Sequence, residues 1–174
     1  KVDCDVKIRF LPWARALAWS KSGDVDGMVG VWYSSERAEY FLYSEPIFPS
    51  RIGFYKRKNE DIRYTDYVDL KQQGYKLGNV RGYILPKGLK ESGIPIMIVN
   101  RAQQNFMTLS MKRVDLIVVN QQDAQYMFTQ PDLLEFAKKI KWMEPALEEK
   151  QQYLIISKKT GDFIKIMNKH NISY

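Results

Sequence analysis

Short apolar segments of strand length alternate with helical segments along this chain, and that alternation restricts the possible folds more than any other feature. Residues 28–32, 95–99 and 116–119 form such apolar segments, and apolar residues at helical spacing occur over 13–21 and 102–112. Strands that are apolar on both faces are typical of parallel sheets covered by helices on each side. The chain is therefore predicted to be an α/β protein with parallel strands.

Weaker signals complete this outline. Further strands are expected at residues 6–11, 51–56, 76–80 and 153–156, and further helices at 67–72, 132–140 and 162–169. One arrangement occurs twice: a helix, a Val-Asp pair, an apolar strand and then polar residues, first around Asp26 and again around Asp115. This repetition predicts two lobes built on one plan. Ligands of open α/β sheets bind at the carboxyl ends of strands, where these polar residues lie.

The basic composition is not accompanied by a nucleic-acid-binding motif. The 174 residues carry a formal net charge of +7, but the basic residues are scattered among 20 acidic ones. The densest basic stretch, residues 56–58, is short. A solvated basic surface explains this distribution, and no nucleic-acid partner is predicted.

Residues for metal binding and covalent catalysis are scarce. The chain has 1 cysteine, Cys4, and 1 histidine, His170, which cannot form an intrachain disulfide or the usual zinc ligand set. No nucleophile-elbow or phosphate-loop motif is present, and no apolar run is long enough to cross a bilayer. The sequence thus predicts a protein without metal, cofactor or catalytic activity.

Three segments, in order, carry a resemblance to a known family. Residues 11–17 (LPWARAL) match a helix opening, and residues 77–82 with 113–116 match a later strand and turn. The most specific segment, 22–46, contains Gly-x-x-Asp, Ser-x-x-Arg and Tyr-Ser-x-Pro turns. In this arrangement the chain resembles the family 3 extracellular solute-binding proteins, the polar amino-acid group with the type 2 periplasmic-binding-protein fold.

The resemblance implies two lobes joined by two crossing hinge strands, with the solute held in the cleft between them. Residues 1–50 and 157–174 would form one lobe, residues 57–150 the other, and residues 51–56 and 151–156 the hinge strands. Family members begin with a further strand and helix that contribute a cleft aromatic residue. We therefore expect this chain to be a truncated member whose first lobe is incomplete.

Arg37 is the leading candidate for ligand binding. It matches the family arginine that binds the ligand carboxylate, and a guanidinium can donate two parallel hydrogen bonds to a carboxylate. The alternative is a surface ion pair with its neighbour Glu36, which would contribute little. Ser34 matches the family hydroxyl residue three positions before the arginine, and it also suits a helix N-cap.

The turn at Arg81, Gly82 and Tyr83 is a second candidate. The sequence predicts that a helix starts here, whose free N–H groups bind an anion, while Gly82 permits close approach of a ligand. An ordinary loop glycine is the alternative. Tyr83 stands where many family members have a smaller hydroxyl residue.

Asn120 occupies the position at which many amino-acid binders have the aspartate that pairs with the ligand amine. An amide cannot neutralise an ammonium group, so Asn120 favours a solute other than a standard α-amino acid unless Asp123 compensates. Trp13 and Trp32 are expected either to stack on the ligand or to belong to the core.

The function implied is that of a periplasmic, or at least extracytoplasmic, solute-binding protein. It would capture a small polar solute, such as an amino acid or a related carboxylate, and deliver it as a monomer to the membrane permease of an ABC importer. Two alternatives stay open: a ligand-sensing module of a membrane signalling protein, and an enzyme on the same fold.

Overall fold

A computed structural model describes residues 6–160 of the chain. The helices of this range are α1 (Trp13–Ser22), α2 (Ser35–Ala38), α3 (Tyr67–Gln72), α4 (Ala102–Ser110), α5 (Gln121–Met127) and α6 (Leu134–Ala137). The strands are β1 (Gly27–Trp32), β2 (Phe41–Tyr43), β3 (Phe48–Arg57), β4 (Leu77–Val80), β5 (Ile96–Val99), β6 (Leu116–Asn120), β7 (Ile140–Trp142) and β8 (Glu148–Ser157).

Two long antiparallel strands, β3 and β8, connect the rest of the structure. They pair with each other over residues 48–52 and 148–152. Beyond this crossing β8 pairs with β1 and β2, whereas β3 pairs with β6 and β7. The chain thus forms a small part (α1, β1, α2 and β2) and a large part (α3 to β7) on either side of the crossing. Within residues 6–160 the eight strands form one sheet: six follow the order β1-β8-β3-β6-β4-β5, and off this order β2 pairs with β8 and β7 pairs with β3.

The large part has a hydrophobic core on each face of its sheet. Successive residues of β6 alternate between the two: Leu116 and Val118 belong to one cluster, and Ile117 belongs to the other. Side chains of a strand point to opposite faces in turn, so a strand covered on both sides has to be apolar throughout. This is why β6 reads as a continuous apolar run in the sequence.

The small part is built around helix α1 and strand β1. Pro12 precedes α1, and its carbonyl accepts the first backbone hydrogen bonds of the helix. Gly23 ends the helix in the left-handed conformation, at φ 90°. Val31 and Phe41 form a compact core with Ile155 of β8, against which Trp13 packs.

The structure corrects several sequence predictions. The sheet is mixed rather than parallel, because only the β4–β5 and β4–β6 pairs are parallel. Residues 6–12 form no strand, and Ile8 and Phe10 are exposed. The helix expected over 132–140 contracts to α6 and gives way to β7. Strands β3 and β8 extend beyond their predicted ranges, and the helix expected over 162–169 lies outside the described residues.

Between residues 6 and 160, no helix has the length and apolar character that crossing a membrane would require.

Candidate functional site

A cavity opens where the carboxyl ends of β1, β4 and β6 meet. The space between its walls is about 320 Å³, including the region open to solvent. The residues that line it are Trp13, Gly30, Trp32, Arg37, Tyr83, Ile84, Asn120, Asp123 and Gln152. They come from the small part, from the large part and from the crossing strand β8, so the cavity exists only because the chain brings these segments together.

Arg37 is buried at this cavity without an acidic partner. Its backbone N–H donates to Ser34 Oγ, which caps α2 and sets the direction of the side chain. The guanidinium donates to the carbonyl of Trp32 at 3.2 Å and to that of Gly82 at 3.1 Å. Only 7% of the residue is exposed, and it forms no ion pair with Glu36 or any other acid among residues 6–160.

The electrostatic surroundings of Arg37 favour an incoming anion. Burial lowers the pKa of its guanidinium, against smaller opposing effects of Tyr43 and Glu36. A guanidinium has more N–H groups than the two that these carbonyls engage, and it remains charged in proteins. The surface ion pair considered from the sequence is not formed, and the buried cation has donors left for a ligand.

The turn at Gly82 joins the small part to the large part. The carbonyl of Gly82 accepts hydrogen bonds from Arg37 and, at 3.0 Å, from the indole Nε1 of Trp13. Gly82 adopts φ 81°, and a Cβ at this position would lie 3.1 Å from Trp13 Cδ1. Tyr83 meets the same indole edge-on, with ring centres 5.4 Å apart.

These contacts correct the expectation of an anion-binding helix start at this turn. Tyr83 N–H closes a tight turn on the carbonyl of Val80 at 3.0 Å, and no helix follows before residue 102. The absence of a side chain at Gly82 makes room for Trp13.

Asn120 ends β6 and begins α5. Its Oδ1 accepts from the backbone N–H of Gln122 at 2.9 Å and of Asp123 at 3.4 Å, so it is the N-cap of the helix. Its Nδ2 is buried and has no hydrogen-bond partner between residues 6 and 160. One end of this amide therefore organises the helix while the other remains free at the cavity.

Asp123 is brought to the cavity by the first turn of α5. The carboxyl group can be reached by solvent from the cavity, but the protein around it excludes much of the bulk water. This desolvation raises its pKa to about 6. Desolvation, together with the charge of Asp123, raises the pKa of Tyr83 to about 12. At neutral pH the carboxylate is ionised, and it has no ion-pair partner among the described residues.

Of the eight candidate residues predicted from the sequence, some line the cavity and others do not. Five of them line the cavity: Trp13, Trp32, Arg37, Tyr83 and Asn120. Ser34 and Gly82 do not line the cavity but contact residues that do. Ser34 Oγ accepts from the backbone N–H of Arg37, and the carbonyl of Gly82 accepts from Arg37 and Trp13. Arg81 lies apart from the cavity, exposed to solvent, and its Nε donates to Asn100 Oδ1 at 3.1 Å.

Four lining residues are not among the eight candidates predicted from the sequence. Asp123 follows an Asn cap, and an acidic residue in the first turn of a helix is a helix-start signal that locates it in the sequence. Gly30, at φ 80°, forms a bulge in the β1–β8 pairing, and a glycine inside an apolar strand suggests this. Ile84 and Gln152 give no sequence signal, because their positions depend on the turn after β4 and on the register of β8.

The similarity of this chain to known proteins is found in solved structures and concerns the fold. No family model matches the chain, and no curated protein matches its sequence. Among solved structures, holo ArgBP from T. maritima is 19% identical, with a TM-score of 0.76 over 97% of this chain and 72% of that chain. The substrate-binding protein of an amino acid ABC transporter is 19% identical, with a TM-score of 0.70 over 94% and 70%.

A histidine kinase sensor domain with similarity to periplasmic binding proteins is 16% identical, with a TM-score of 0.71 over 92% of this chain and 71% of that chain. At such identities these likenesses establish the fold. The chain therefore has the two-lobed α/β fold of periplasmic binding proteins, with β3 and β8 in the place of the crossing strands. The residue boundaries of the lobes stay a prediction.

Proposed function

We propose that this chain is the ligand-binding part of an extracytoplasmic solute-binding protein that captures an amino acid in its zwitterionic form. The observation that carries the proposal is the pair Arg37 and Asp123, which line one cavity from different parts of the chain without an ion-pair partner. Uncompensated charges in a partly dehydrated site are unfavourable. A carboxylate bound by Arg37 and an ammonium bound by Asp123 would compensate both.

In the proposed complex, Asp123 supplies the negative charge that Asn120 lacks. The amide at the usual amine position cannot neutralise an ammonium group. A carboxylate one helical turn further along lines the same cavity, so it replaces the missing charge in the proposed complex. A standard α-amino acid is therefore compatible with this site.

Binding in this proposal is coupled to closure of the two lobes. The ligand would bridge Arg37 of the small part and Asp123 of the large part, while Trp13 and Trp32 cover its apolar surface. Among residues 6–160, the long connections between the parts are β3 and β8, which would bend as hinges. Water excluded by closure strengthens the polar contacts.

An importer is the preferred setting, since the fold is shared with the substrate-binding protein of an amino acid ABC transporter. The protein would then act as a monomer outside the cytoplasm, present the closed form to a membrane permease, and catalyse no reaction. The histidine kinase sensor domain of the same fold supports a second candidate, a sensing module. A permease gene beside the parent gene would favour transport, and a membrane-anchored kinase segment in the same polypeptide would favour sensing.

The proposal is tested by titration calorimetry with an amino acid and two analogues. A thermal-shift screen of the standard amino acids first identifies the best ligand. Its decarboxylated amine and its deaminated acid are then titrated, and each should bind at least about a hundredfold more weakly, because each leaves one charge of the partly dehydrated cavity wall unpaired. An analogue that binds as tightly as the parent amino acid would exclude the zwitterion model.

We expect the affinity for the amino acid to fall as the pH is lowered through about 6. Asp123 has a pKa of about 6 in the free protein, so below that value binding must first remove its proton. Arg37 and the ligand ammonium remain charged across this window, and Tyr83 remains neutral with its pKa of about 12. The association constant should drop by up to about tenfold per pH unit below 6 and stay constant between 7 and 8.

Calorimetry in buffers from pH 4.5 to 8 checks this dependence, with the Asp123→Asn variant as the control. The weak residual binding of that variant should not vary across the same range. A wild-type affinity that is constant down to pH 4.5 would separate Asp123 from ligand binding.

A further inference from the structure

Two neutral amides face the cavity in addition to the charged pair. Asn120 is 1% exposed and Gln152 is 3% exposed. The Nδ2 of Asn120 has no hydrogen-bond partner among residues 6–160, and Gln152 lines the same cavity. Buried amides are nearly always hydrogen-bonded, and leaving one unpaired is costly. Both amides are placed so that a molecule in the cavity can supply the partner.

Gln152 is held at the centre of the site by strand pairing. It lies on the crossing strand β8, directly opposite Trp32 of β1 on one side and Phe48 of β3 on the other. A Cβ at Gly30 would lie 3.3 Å from Gln152 Oε1, so the glycine leaves space around this amide. The indole N–H of Trp32 is already donated to Ser50 Oγ at 2.9 Å, which leaves its ring as an apolar wall.

The charges of the wall limit the side chain that the ligand can carry. Within the described part of the chain, the cavity wall has one cation, Arg37, and one acid, Asp123. In the proposed complex both are used by the ligand backbone. A charged ligand side chain would then be buried without a counterion, and an apolar one would leave the amides of Asn120 and Gln152 unpaired. Only an uncharged polar side chain satisfies the whole wall.

We infer that the ligand is an amino acid with an uncharged amide or hydroxyl side chain, and that Gln152 and Asn120 recognise this group. The inference rests on the proposed function, because Arg37 and Asp123 orient the ligand so that its side chain faces the amides. Gln152 is then a specificity-determining residue on a hinge strand, where its contact with the ligand also favours closure.

Sets of ligands with nearly equal shape test the inference. We would titrate L-asparagine, L-aspartate and L-leucine, then L-glutamine, L-glutamate and L-methionine, and finally L-threonine and L-valine. In at least one set the uncharged polar member should bind about tenfold or more tightly than every other member. Equal or tighter binding of a charged or apolar member in every set would overturn the inference.

Two variants on the same strand assign the preference to Gln152. Gln152→Leu should weaken binding of the preferred ligand by about tenfold to a hundredfold and change that of its apolar counterpart by less than about threefold. Gln151→Leu is the matched control, because Gln151 is exposed, does not line the cavity, and as the strand neighbour of Gln152 lies on the opposite face of the sheet; it should change neither. If Gln152→Leu fails to fold, Gln152→Glu takes its place, and it should weaken binding of the uncharged ligand by a similar factor.

The outcomes separate this inference from the proposed function. If the wild type binds no amino acid, both fail. If it binds L-arginine or L-glutamate best, and this binding is lost in Arg37→Met, the zwitterion site stands and the side-chain inference fails. An unchanged preference in Gln152→Leu likewise contradicts the role of Gln152 alone.

Discussion

Replacing Arg37 by methionine should lower the affinity for the amino acid by about 3–4 kcal/mol, or two to three orders of magnitude. The guanidinium is buried, has no acidic partner, and is held by the carbonyls of Trp32 and Gly82 with donors left for a carboxylate. Removing one member of a buried ion pair leaves the other charge uncompensated, which costs about 3–5 kcal/mol. Arg37→Lys keeps the charge but loses the forked geometry, so it should show an intermediate loss.

Titration calorimetry measures these losses, with Arg81→Met as the matched control. Arg81 is exposed, its Nε donates to Asn100, and it does not line the cavity, so its replacement should leave the affinity unchanged. Circular dichroism should show that Arg37→Met remains folded. The substitution removes the hydrogen bonds of Arg37 to two carbonyls, which lowers the stability of the fold. It also removes a desolvated charge, which partly offsets this loss of stability. Unchanged binding by Arg37→Met would show that the carboxylate site lies elsewhere.

Replacing Asp123 by asparagine should change affinity and stability in opposite directions. Affinity for the amino acid should fall by about 2–3 kcal/mol, because the ammonium loses its only acidic partner in the described cavity wall. The ligand-free protein, in contrast, should become more stable at pH 8 by about 1 kcal/mol. The raised pKa taken alone would correspond to a larger stabilisation. The carboxylate is partly open to water, which screens its charge and reduces the effect.

The pH dependence gives the sign of the stability effect. The carboxyl pKa is about 6 in the folded protein and 3.8 as the reference value, so the unfolded chain releases this proton first as the pH rises. The ionisation of Asp123 therefore lowers the stability of the wild type progressively between about pH 4 and 6. Above this window its destabilising effect is fully present. Thermal denaturation without ligand should show Asp123→Asn above the wild type at pH 8 and equal to it near pH 4.

Asp132→Asn is the control for this experiment. Asp132 is exposed and lies beyond α5, outside the cavity wall. Its replacement should leave the affinity for the amino acid unchanged. If Asp123→Asn retains full affinity, the ammonium is bound by a different group.

The amino-acid sequence was sufficient to predict the α/β class, most helices and strands, and the arginine that faces the cavity. These features have local causes: the helical spacing of apolar residues in α1 and α4, the continuous apolar run of β6, and a Ser-x-x-Arg turn whose hydroxyl caps α2. Each signal lies within one short segment, so its spacing survives in the linear chain. The expected strand over residues 6–11 shows the limit of such signals, because alternation predicts a strand only where a partner pairs with it.

Which polar groups share the cavity depends on the three-dimensional arrangement of distant segments of the chain. Asp123 reaches it because Asn120 starts a helix at the end of β6, and Gln152 reaches it because its register sets it opposite Trp32. The indole N–H of Trp13 donates to the carbonyl of Gly82, although 69 positions separate the two residues in the chain. Contacts over such separations leave no periodic trace in the sequence, since they depend on how β3 and β8 cross rather than on neighbouring residues.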